Sequence, residues 1–118
     1  MLKDREREEI QAELKRYDRK KAADVEVLKV LQRSRGWISD EDLADAAGIL
    51  EIPVSELDGV ATFYNLIYRL PVGRHVILIC DSITCWIMGY NMVRDHLERS
   101  LDIQLGGTSA DGNFTLLP

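Results

Sequence analysis

The sequence predicts an α+β fold. A small helical bundle over residues 1–70 leads into an α/β unit over residues 71–118, and that unit is incomplete at its C-terminal end. Three observations predict this. Up to Leu70, apolar residues recur at helical spacing between charged positions. After the punctuation LPVGR (70–74), the run HVILIC (75–80) is aliphatic and too short for a helix. A second helical stretch and a second strand-like run then complete the order strand–helix–strand.

The helices can be justified in turn. Ile10, Leu14 and Tyr17 fall at i, i+4 and i+7, one face of a first helix. The surrounding Glu, Lys, Arg and Gln favour helix and keep the other face wet. In particular, the charge run KDREREE (3–9) reads as a solvated face. Val27, Leu28, Val30 and Leu31 give a second helix a wider stripe, and Gly36 in SRGW (34–37) suits the position just past its end. Ser39 is a candidate N-cap for a third helix, with Asp40, Glu41 and Asp42 in the first turn. Leu43, Ala46 and Ala47 are its buried side, and Gly48 is its expected end. Pro53 suits the first turn of a fourth helix with Leu57, Val60, Ala61 and Tyr64 as its stripe. Phe63, Tyr64 and Tyr68 are expected in the core.

In the second unit HVILIC reads as a buried strand. Residues 86–101 read as one helix with Ile87, Tyr90, Val93, Leu97 and Leu101 along one side. LGGTSADGN (105–113) is a loop of turn residues, and FTLLP (114–118) is a second strand. Two strands and one helix leave sheet edges and an apolar face open.

Bulk properties exclude some functions. With 15 basic and 20 acidic residues the net charge is −5, which argues against nucleic acid as a partner. The first residues, MLKDREREEI, lack the apolar core of a secretory signal, and VILIC (76–80) is far too short to span a bilayer. The expectation is a cytoplasmic protein with no direct membrane insertion. In a reducing compartment a cysteine pair leans toward metal or redox chemistry.

The two cysteines, Cys80 and Cys85, stand at the junction of strand and helix. Unpaired N–H groups at a helix start stabilise thiolate, and strand carboxyl ends are where α/β proteins build sites. Three chemistries remain open. Dithiol exchange usually uses C-x-x-C, whereas this spacing is C-x4-C. Zinc needs two further ligands, and the candidates His75 and His96 lie at the far end of the strand and deep in the helix. A [2Fe–2S] centre takes four thiolates, of which this chain has half.

Residues 58–89, DGVATFYNLIYRLPVGRHVILICDSITCWIMG, closely resemble the thioredoxin-like [2Fe–2S] subunit of NADH:quinone oxidoreductase. This is the family of the bacterial E subunit and of the 24 kDa subunit of mitochondrial complex I. The combination GVATFY, PVGRH and C-D-S-x-x-C carries the likeness, and RGW (35–37), GI (48–49), IP (52–53) and DGNFTLLP (111–118) extend it over residues 8–118. The resemblance implies a helical bundle followed by a thioredoxin-like domain. It implies one [2Fe–2S] cluster held by a C-x4-C pair, matched by Cys80 and Cys85, and by a later C-x3-C pair that these residues lack. The chain then reads as C-terminally truncated. If the short chain is native, a homodimer sharing one cluster is the other arrangement.

The resemblance further implies a flavoprotein subunit, binding NADH and FMN, as partner. It also implies a location peripheral to the inner membrane as part of a complex. The chain itself has no G-x-G-x-x-G after a strand with which to bind NAD. The same module occurs in NAD-linked hydrogenases and formate dehydrogenases. Rival readings of other kinds are a cluster-free scaffold for the flavoprotein subunit and a thiol oxidoreductase. Around the cysteines, Trp86 is expected to pack in the core, with shielding of a cluster from water as the second reading. Asp81 and Ser82 are expected to cap the helix, a role compatible with hydrogen-bonding a cluster sulfur. Gly89 is expected to admit a neighbouring backbone. His75 and His96 are expected to be structural or surface residues.

Overall fold

The computed structural model describes residues 1–118. They form two compact units, Met1–Pro71 and Val72–Pro118. The first holds α1 (Asp4–Leu14), a 3₁₀ turn (Lys20–Ala23), α2 (Asp24–Arg35), α3 (Asp40–Leu50) and α4 (Val54–Phe63). The second holds β1 (His75–Leu78), α5 (Ile83–Ile87), α6 (Tyr90–Leu101) and β2 (Phe114–Leu117).

In the helical unit α2 is central and touches α1, α3 and α4. Its Val27, Leu28, Val30 and Leu31 are buried together with Ile10, Leu43, Leu50 and Leu57. Gly36 ends α2 as expected, with φ +84° and its N–H donating to the Gln32 carbonyl at 2.7 Å. Ser39 caps α3 as expected, its Oγ accepting the Asp42 N–H at 3.2 Å. Gly48 does not end that helix. The helix runs on to Leu50, and Glu51 takes the left-handed position at φ +57°. Leu50 is buried in the core, so packing carries the helix beyond the glycine.

Other expectations fail where the helical register stops short. Tyr17 lies past the end of α1 and is exposed. Phe63, placed in the core by its spacing, is 80% exposed, and Tyr64 beside it is exposed too. Helix α4 stops at Phe63, so the register assumed for these aromatics does not continue. Residues 64–69 instead return along α2 and are strapped there. The Gln32 amide donates to the Leu66 carbonyl and accepts the Tyr68 N–H at 2.7 Å. Arg69 binds Asp58 at 3.0 Å, Asp40 at 2.6 Å and the Ile38 carbonyl.

The charge run near the N-terminus is solvated except at Glu6, which is 3% exposed. Its carboxylate accepts from the Lys3 N–H, the Ser34 hydroxyl and the Arg35 guanidinium. Arg35 also reaches Asp42 at 2.6 Å, which joins α1, α2 and α3 through one side chain.

In the second unit β1 and β2 are parallel, with His75 opposite Phe114 and Leu78 opposite Leu117. The intervening α5 and α6 make this a β–α–β unit, the α/β part of an α+β fold. The turn-rich segment before β2 folds back on it. Gly106 N–H donates to the Leu116 carbonyl, Leu116 N–H to the Gly107 carbonyl, and Thr108 bridges Thr115 antiparallel. Strand β2 is thus paired on both sides. Strand β1 is half-buried rather than buried, with His75 and Leu78 exposed. Gly73 lies against the Phe114 backbone, where a Cβ would meet main-chain atoms at 2.9 Å.

Candidate thiolate site

The strand delivers the first thiol. The last β1–β2 bond is Ile79 N–H to the Leu117 carbonyl at 2.9 Å, and Ile79 is buried. The chain then leaves the sheet at its carboxyl end, so Cys80 emerges exposed at the strand tip. Two residues later Ser82 takes extended backbone, φ −63° and ψ 164°, and α5 begins. Cys85 is in its first turn and half-buried. Both cysteines line one shallow cavity of about 270 Å³ with Ile79, Met88, Gly89 and Val93.

The helix expected over residues 86–101 is two helices. Gly89 separates them at φ +115°, a conformation costly for a residue with a Cβ. A Cβ at Gly89 would meet no atom within 4 Å, so the glycine serves backbone geometry and not close approach of a neighbour. The break also turns Ile87 outward to 71% exposure. Trp86 is 56% exposed, not packed in the core, and Ile83, Met88 and Met92 are exposed as well.

At five residues α5 is little more than one turn, so few aligned peptide dipoles act on the cysteines. Local donors replace them. The Cys80 thiol donates to Ser82 Oγ at 3.2 Å, and when the sulfur is deprotonated the hydroxyl donates back to it. The Cys80 thiol is held below its ordinary pKa by the Ser82 hydroxyl, then by the Ser82 backbone N–H and the Cys85 side chain. Burial and the adjacent Asp81 charge oppose this. Ser82 therefore occupies the cap position, but its side chain makes no capping bond.

His75 stacks on Phe114 with ring centroids 5.6 Å apart, and His96 lies near Ser100. Neither joins the cysteines, and no group of three or more His, Cys, Asp or Glu side chains is gathered to hold a metal. The donor set is thus two thiols, the complement of one iron in a four-thiolate [2Fe–2S] centre and half of that centre's needs. No helix is long and apolar enough to cross a membrane.

A β–α–β unit with one thiol at the strand's carboxyl end and a second in the next helical turn defines a small thioredoxin-like thiolate protein. Residues 10–118 match the family described as thioredoxin-like [2Fe–2S] ferredoxin. The chain is 50% identical over 113 residues to the E subunit of the NADH-quinone oxidoreductase of Escherichia coli K12, covering 96% of this chain and 68% of that protein. It is 46% identical over 118 residues to the corresponding E subunit of Pseudomonas aeruginosa, covering all of this chain and 71% of that one. Against the E subunit of Buchnera aphidicola from Acyrthosiphon pisum the identity is 45% over 109 residues, 92% of this chain and 67% of that one. The chain belongs to the thioredoxin-like [2Fe–2S] ferredoxin family, whose cofactor is a [2Fe–2S] cluster.

Proposed function

We propose that this chain is the electron-transfer subunit of an NADH:quinone oxidoreductase, in which Cys80 and Cys85 ligate one iron of a [2Fe–2S] cluster. The observation that carries this is the 46–50% identity to NADH-quinone oxidoreductase E subunits along nearly the whole chain. The other two thiolates come from outside these 118 residues. The bound cluster supplies one-electron transfer, with no bond to substrate made or broken.

The chain's own residues supply position and environment. The parallel pairing of β1 with β2 fixes where Cys80 leaves the sheet. The first turn of α5 carries Cys85, and Ile79, Met88 and Val93 give the cavity an apolar wall that lowers the local dielectric. The partner is the flavoprotein subunit that binds NADH and FMN, and the assembly lies in the cytoplasm, peripheral to the membrane. A homodimer sharing one cluster is the alternative for the short chain.

The test is anaerobic purification of the chain with its flavoprotein partner, followed by iron and sulfide analysis and EPR after NADH addition. A reduced [2Fe–2S] signal is expected in the wild type. Its loss is expected in Cys80→Ala and in Cys85→Ala. A normal signal in both variants sinks the ligand assignment. Two irons per two chains in the chain purified alone identifies the homodimer instead.

A further inference from the structure

We propose that Ser82 sets the reduction potential of the cluster, acting through Cys80 as the side-chain hydrogen-bond donor to that ligand's sulfur. The inference rests on the reading of Cys80 as a ligand and goes beyond it.

Its basis is a serine in a capping position that does not cap. A serine before a helix ordinarily turns its oxygen to an N–H of the first turn. Ser39 does so at the start of α3, where its Oγ accepts the Asp42 N–H. Ser82 holds the same extended backbone before α5, yet its side chain makes no such bond. Its Oγ lies 3.2 Å from Cys80 Sγ. Once Cys80 binds iron its sulfur carries no hydrogen, so the hydroxyl is the donor in that contact.

Reduction places one more electron on the cluster and raises the negative charge on its sulfurs. A donor aimed at a ligand sulfur therefore stabilises the reduced state more than the oxidised one. Hydrogen bonds to charged acceptors are the stronger kind, and at an exposed sulfur next to the Asp81 carboxylate the favourable donor opposes an unfavourable charge. Loss of the hydroxyl makes the cluster harder to reduce.

The experiment is an EPR-monitored redox titration of the anaerobically purified, cluster-loaded assembly carrying Ser82→Ala or Ser82→Thr. In the alanine variant the reduction equilibrium is expected to fall roughly threefold to tenfold. For a one-electron couple that is about 30–60 mV toward negative potential. Iron content is expected to be unchanged, and threonine, which keeps the hydroxyl, to restore the wild-type potential. Equal potentials in alanine variant and wild type, with the cluster intact, overturn the inference.

Cys80→Ala separates the two levels. A cluster retained there overturns the ligand reading. A cluster lost there, with no shift in Ser82→Ala, overturns only the role of Ser82. If the alanine variant does not hold a cluster, the reduced wild type decides. A brief exchange into D₂O labels hydroxyls before amides, and pulsed EPR is expected to show a rapidly acquired deuteron coupled to the cluster. Absence of that coupling overturns the inference.

Discussion

The Arg35 guanidinium lies 2.9 Å from the Glu6 carboxylate, although the two residues are 29 positions apart in sequence. Arg35 compensates two buried acids at once, Glu6 on α1 and Asp42 on α3. Replacing it with methionine keeps much of its stem but leaves both carboxylates without a cation. We expect Arg35→Met to destabilise the helical unit by about 3–5 kcal/mol, because an orphaned buried charge costs more than the pair contributes. Urea unfolding followed by far-UV circular dichroism measures this, and a loss below about 1 kcal/mol contradicts it.

The same pair makes the helical unit acid-sensitive over a definite range. Hydrogen bonding to Arg35 holds the Glu6 carboxyl down at about 2, from an ordinary 4.5, with Ser34 and the Lys3 N–H assisting against burial. A folded pKa below the unfolded one means that folding favours the ionised form. The stabilisation is therefore complete above pH 4.5 and drains away as pH falls toward 2. It amounts to about 3 kcal/mol. Urea midpoints measured across this range should fall steeply in the wild type and less steeply in Glu6→Gln. Parallel slopes in the two proteins count against this account.

Two glycines should respond to alanine in opposite directions. Gly59 sits exposed inside α4, where an added Cβ meets nothing within 4 Å, so Gly59→Ala should gain about 0.5–1 kcal/mol. Gly89 has the same open space but a φ of +115°, so Gly89→Ala should lose about 1 kcal/mol or more through backbone strain alone. Thermal melts of both variants check the signs. A stabilised Gly89→Ala refutes the assignment of the α5–α6 break to left-handed backbone.

Gln32 should control the order of residues 64–69. Gln32→Ala frees the Leu66 carbonyl and the Tyr68 N–H together. Gln32→Glu keeps the acceptor for Tyr68 and loses the donor to Leu66. Limited proteolysis should cut this segment fastest in the alanine variant, at an intermediate rate in the glutamate variant and slowest in the wild type. Indistinguishable rates reject the strap.

The order of elements is legible in the sequence because it rests on local signals. Gly36 and Ser39 announce a helix end and a helix start through chemistry that operates within a few residues, and both hold. The stripe Val27, Leu28, Val30, Leu31 is wide because α2 is covered on several sides. What is not legible depends on distant partners. Periodicity assigns Phe63 and Tyr64 to the core, but the straps from Gln32 and Arg69 that redirect the following chain involve other elements. Glu6 reads as one more charge in KDREREE until Arg35 and Ser34 are brought against it. At the site, the thiols and their junction are visible in the spacing. From its position Ser82 reads as a cap first and a sulfur contact second, and the three-dimensional contact reverses that order by placing its oxygen beside sulfur with no capping bond.

Helix α5 is five residues long and buries none of them. A helix so short is unstable by its own propensity and here has little packing to make up the deficit. Amide hydrogens of residues 83–87 should therefore exchange through local opening at small free energy, whereas those of Val27–Leu31 should report the global unfolding of their unit. Cys85 rides on this short, unburied turn. Without metal the second thiol is presented by a fluctuating turn, and ligation would itself supply the ordering energy, so that loading of the cofactor and the final folding step of this loop are one event.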